Sequence, residues 1–232
     1  MKLVIITCIF IALLINNTIC AENLNDKVFL LREKIMNKEI PYSNIEDNYI
    51  ALLNEAKTTK DKILILMELI KESERDTNPD KVIKYCQEIL LLPLKPTEQC
   101  SIISYIGRAL QEKRDDQIKI GELYLRGIVI TVKNATEEEV QSPPAVGRYR
   151  YIGDSKEIEE ELKKQHNEEI MLREKIVANN ELLKYREQFI NDCVLAFSKV
   201  KDRKNEYLNL LDKYLKDYPI VQNKIITSIS ER

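Results

Sequence analysis

The sequence has no tryptophan, four phenylalanines, five glycines and a single histidine in 232 residues. Each scarcity closes off a class of function. Gly107, Gly121, Gly127, Gly147 and Gly153 never cluster, so no glycine-rich loop can cradle a phosphate. With one histidine, His166, the chain lacks the His-Glu-x-x-His spacing that holds zinc, and no Cys-x-x-Cys pair occurs. His166 sits on a charged stretch with no cysteine or second histidine near it, which reads as a solvated side chain rather than a catalyst. We therefore expect a non-enzymatic protein without cofactor or metal. Excess charge of one sign is missing too: 36 basic against 38 acidic residues give a net charge of −2. That balance provides no field to gather nucleic acid or an anionic membrane.

What is present favours helix. Glycine and proline are few, and charged residues reach 32%. Aromatics make up only 6%, so the core must be built from Leu and Ile.

The first twenty residues stand apart. Lys2 precedes an unbroken apolar run, Leu3 to Ile15, followed by polar "NNT" and then Thr18-Ile19-Cys20-Ala21. A positive start, a short apolar segment and small residues before the cut describe a secretory signal peptide, removed after Cys20 or Ala21. The run is shorter than the roughly 20 apolar residues of a comfortable membrane span. Retention as an anchor and lipid attachment at Cys20 are the alternatives; the bulk of Ile19 disfavours the second. The expected location is outside the cytoplasm, periplasmic or secreted.

Of five cysteines, Cys86, Cys100 and Cys193 lie in the body of the chain. An odd number cannot form a complete disulfide framework. Cys86 and Cys100 fall on consecutive expected helices and could meet across the turn, but packing within apolar stripes suits all three better.

Short amphipathic helices follow the signal. Leu24, Val28, Leu31 and Ile35 form one stripe. Ser43 and Glu46 have the spacing of a capping box opening a second helix, with Ile45, Tyr49, Leu52 and Ala56 inward. A third helix, Lys60 to Glu74, carries "ILILMELI", apolar nearly all round and so expected between neighbours. Asn78-Pro79 starts the fourth and Thr97 is expected to cap the fifth. A sixth spans Asp116 to Arg126.

Helix starts near 44 and 80, and near 60 and 98, recur at intervals of about 36 and 38 residues. Together with "KYCQEILLLPLKPTEQCSIISYIGRAL", where a proline turn precedes Gly107, this spacing resembles tetratricopeptide-like repeats over about Tyr42 to Gln111. "EYLNLLDKYLKDYPIVQNKI" looks like the hairpins of such repeats in exported bacterial proteins, with Tyr218-Pro219 at the turn. The resemblance implies stacked hairpins that present a surface to a protein partner, and no chemistry.

Beyond Gly127 the pattern changes. "IVITV", Ile128 to Val132, is β-branched and reads as a strand. A polar loop ending in Pro143-Pro144 leads to "GRYRYIG", so a short β-hairpin connector is expected over 127–154. In an extended chain Arg148 and Arg150 face one way, Tyr149 and Tyr151 the other. Tyrosines on the helices and arginines in solvent would make this a structural seam. Arginines on an acidic or phosphate ligand would make it a binding patch. The "TEEE" run upstream favours the seam.

From Ser155 to Val200 neither Pro nor Gly interrupts the chain. Leu172, Ile176, Asn179, Leu183, Arg186, Ile190, Cys193, Phe197 and Val200 alternate spacings of 4 and 3, a seam fit for a coiled coil or for internal packing. About 45 helical residues would span about 68 Å. Glu159–Lys163 is a well-ordered surface pair on its polar first half. Two shorter helices end the chain, Lys204 to Leu215 and one from Pro219.

The expected fold is thus all-α: a signal peptide over 1–20, antiparallel hairpins over 21–126, the connector, and a long helix with two short ones over 155–232. The expected role is protein–protein interaction or scaffolding. Self-association through Leu172–Val200 is the alternative, and a ligand-binding protein or hydrolase with its site near the connector comes third. The export reading makes a direct prediction: the exported protein has an intact mass short of the first 20 or 21 residues, and a full-length mass there overturns cleavage.

Overall fold

The computed structural model describes residues 23–136, 141–143, 145 and 156–232, the side chain of Glu157 excepted. Nine α-helices and no strand occur among them. They are α1 (Leu24–Met36), α2 (Ile45–Glu55), α3 (Thr59–Arg75), α4 (Pro79–Leu90), α5 (Pro96–Glu112), α6 (Gln117–Asn134), α7 (Lys156–Ser198), α8 (Lys204–Leu215) and α9 (Pro219–Ser230). Single 3₁₀ turns, Tyr42–Asn44 and Lys201–Arg203, lead into α2 and α8. The chain divides into two compact units, the first ending at Leu92 and the second beginning at Pro93. That division falls inside what the repeat spacing takes as a second hairpin, between α4 and α5. The expected boundary at 126/127 instead lies within the continuous helix α6.

In the first unit α3 packs against α1, α2 and α4, the central place its apolar sequence calls for. Ile65, Leu69 and Ile70 of α3 are buried, as are Tyr49 of α2 and Val82, Tyr85 and Ile89 of α4, the helices packed against it. The start of α4 is as read: the Asn78 side chain accepts from the Lys81 N–H and Pro79 takes the first turn. Two other caps differ. Residues 42–44 wind into a 3₁₀ turn, which removes Ser43 from the cap position, and its hydroxyl bonds the Asn44 side chain. Glu46 turns away to Lys81 and the Tyr85 hydroxyl. At α5 the cap position is Lys95, not Thr97, and Glu98 bonds the Lys95 N–H at 2.7 Å.

In the second unit α6 lies against α7 over most of its length, with α5, α8 and α9 around the pair. Ile128–Val132 is the last part of α6, not a strand. Five β-branched residues in a row cost a helix only a few tenths of a kcal/mol each. Burial decides the matter: Ile120, Tyr124, Ile128 and Thr131 recur at helical spacing, and all are enclosed. The Thr131 hydroxyl also donates to the Ile128 carbonyl at 2.7 Å, so its polar atom costs nothing inside.

Three glycines set how closely the helices approach. A Cβ on Gly121 would collide with the ring of Phe197, one on Gly127 with Phe189, and one on Gly107 with Tyr124. Gly107 thus has the close-crossing role read from the sequence, with a tyrosine as its partner.

The long helix runs 43 residues, about 65 Å. Leu183, Ile190, Cys193 and Phe197 of its seam are buried within the chain, whereas Leu172 is 52% exposed. The packed part of the seam is therefore consumed by α6, α9 and α5, with Tyr207 of α8 stacked on Phe197. Cys86, Cys100 and Cys193 are buried, and no disulfide joins Cys86 to Cys100.

Three helices end in residues with positive φ, Lys38 (59°), Thr77 (48°) and Arg114 (55°). Each end is closed by an N–H reaching back five residues, as in Asn78 to the Ser73 carbonyl at 2.9 Å. Thr77 is the β-branched member, and its Cβ crowds the backbone in this region.

Two substitutions test these constraints by denaturant unfolding. Gly121→Ala is expected to destabilise, because overpacking costs about 1–3 kcal/mol and exceeds the roughly 1 kcal/mol that alanine gains in a helix. Thr77→Gly is expected to stabilise by about 1 kcal/mol through relief of the left-handed conformation.

Candidate binding groove

The second unit is a bundle whose members differ in length. Helix α6 runs antiparallel to α7, since Cys193 lies over the Gly121 carbonyl while Asn179 reaches Thr136. Helix α8 runs alongside α6 in the same direction. Its entry is fixed by Arg203 on Asp116 at 2.7 Å, and its far end by the Tyr214 hydroxyl donating to Glu122 at 2.7 Å. The Glu122 carboxyl is held below its ordinary value, first by that bond and then by Lys213 and Arg126, against the opposing effect of burial.

Helices α8 and α9 have 12 residues each, about 18 Å, against 18 residues and about 27 Å for α6. Their turn at Tyr218-Pro219 therefore stops short of the end of the α6–α7 pair.

That shortfall opens a groove of about 690 Å³. Its floor is apolar, made by Val132 and Ala135 at the end of α6 and by Leu183 and Ile190 of α7. The turn supplies Tyr218, Ile220 and Val221, and Ile220 is 82% exposed. Lys184, Glu187, Asp217 and Lys224 edge the opening with charges of both signs. An apolar slot with a mixed charged rim is suited to an amphipathic segment.

The wall at the end of α6 is held by polar residues of the seam. Arg186 donates to the Thr131 carbonyl at 3.1 Å, which also accepts the Ala135 N–H that closes the helix at 2.9 Å. The Asn179 side-chain oxygen receives the Thr136 N–H at 2.7 Å and is 3.3 Å from the Thr136 hydroxyl. Asn180 takes the Gln141 N–H at 2.9 Å and gives its amide to the Gln141 carbonyl at 2.5 Å, as a neighbouring strand would. Sequence reasoning counted Asn179 and Arg186 as seam members without a task. Their signal was polarity at heptad positions facing a helix end, buried at Asn179 and half-buried at Arg186.

The patch expected at Arg148, Tyr149, Arg150 and Tyr151 lies outside the described residues, as do the second half of the expected hairpin and the signal segment. Val132 of the expected first strand lines the groove instead. His166 is half-buried rather than solvated. Glu159 does pair with Lys163, at 2.5 Å. Burial pushes the Cys100 thiol up to about 12 and raises that of Cys193, so neither is a nucleophile at neutral pH.

The first unit holds a smaller notch of about 130 Å³, lined by Tyr42, Ser43, Glu46, Ser73, Asp76 and Lys81 among others. In the same unit α1 is tied to α3 by Arg32 on Glu68 at 2.7 Å, with Lys71 on the other carboxylate oxygen at 2.6 Å. Burial alone would raise the Glu68 carboxyl, but the two hydrogen bonds outweigh it and the group sits below its ordinary value. Glu46 is likewise lowered, chiefly by Lys81 and then by Tyr85.

Among the described residues, no group of three or more His, Cys, Asp or Glu side chains is placed to hold a metal ion. No described helix is long and apolar enough to cross a membrane. No family model matches the chain, nor does any curated protein sequence or solved structure.

The carboxylate shifts carry a sign. Groups lowered on folding add stability above their unfolded value, 4.5 for glutamate, and that stability is lost as pH falls through the folded value. Unfolding of the first unit is thus expected to be insensitive to Glu46 and Glu68 between pH 7 and 5 and to ease progressively below 4.5. Glu68→Gln should flatten that acid slope, measured by denaturant midpoints across pH.

Proposed function

We propose that this chain is an exported helical protein that binds a protein partner, with the groove of the second unit as its docking place. Support for export comes from the N-terminal pattern, Lys2, the apolar run and the small residues before Ala21. One observation carries the binding role: where the short α8–α9 hairpin turns, half-buried Val132 and Ala135 and the exposed Ile220 line an open groove over the buried Leu183 and Ile190. Apolar surface that a chain does not cover itself gains free energy when a partner covers it. A helix or extended segment with an apolar stripe and flanking charges of both signs fits the floor and the rim. The tetratricopeptide-like reading of the hairpins is compatible with such a role but is not needed for it.

Self-association is the second reading. Met171, Leu172 and Val177 are 69%, 52% and 46% exposed on α7, so a second copy would use this stretch rather than the packed part of the seam.

The test is crosslinking and capture from the exported fraction with tagged wild type and an Ile220→Glu variant, partners being identified by mass. Ile220 is too exposed to matter for folding, so helical content should not change. Loss of one buried isoleucine from a docked interface, about 1.5–3 kcal/mol, should weaken capture about 10-fold or more. Equal capture by both proteins overturns the groove. A dimer in sedimentation, lost in Leu172→Glu and kept in Ile220→Glu, favours self-association.

A further inference from the structure

We draw no further inference here: the strongest candidate, the apolar groove left open where the α8–α9 turn stops short of the α6–α7 pair, belongs to the site already described, and with rim charges of both signs at Lys184, Lys224, Glu187 and Asp217 nothing in the structure shows what covers it.

Discussion

The close crossing of α6 and α7 is the constraint on which the second unit depends. Phe189 and Phe197 of α7 are fully buried against backbone at Gly127 and Gly121, where any side chain would collide with them. Aromatic rings contribute large apolar area, and here they do so in a chain with only four phenylalanines. The crossing fixes the rotation of α7 about its own axis. Rotation in turn decides that Leu183 and Ile190 face the bundle and that Arg186 meets the end of α6. Position and orientation of the groove floor follow from two glycines.

Glycine has an unusual division of labour here. Gly107, Gly121 and Gly127 all sit inside helices, where each weakens local helix formation by about 1 kcal/mol relative to alanine. No described glycine adopts positive φ; Lys38, Thr77 and Arg114 do so instead at helix ends. Glycine serves packing, and ordinary residues carry the backbone strain of the turns. The fold places precision at the helix crossings and tolerates modest strain at the surface.

Much of the architecture was legible in the sequence because its periodicity is strong. The stripe of α1, the central place of α3, the Asn78-Pro79 start of α4 and the unbroken length of α7 all follow from spacing and capping chemistry. What could not be read has a common physical origin. Ile128–Val132 has the intrinsic bias of a strand, and only tertiary burial of Ile128 and Thr131 against α7 overrides it. Ser43 and Glu46 have capping-box spacing, yet a 3₁₀ turn moves the helix start, and Lys81, distant in sequence, claims the carboxylate. The groove was invisible for another reason: it comes from a difference in length between elements. No local pattern records that Tyr218-Pro219 lies beside Val132 and Leu183. The polar seam residues Asn179 and Arg186 were visible as anomalies, but their meaning required knowing which helix end they oppose.

The uneven helix lengths have a consequence for how such a site can change. The opening is set by where a turn falls along the bundle, not by which side chains line it. Symmetric insertion of one helical turn on both sides of Tyr218-Pro219 would carry the hairpin over the groove and seal it, and deletion would enlarge it. The depth of this cleft is thus an adjustable architectural dimension, independent of the crossing that holds the bundle together.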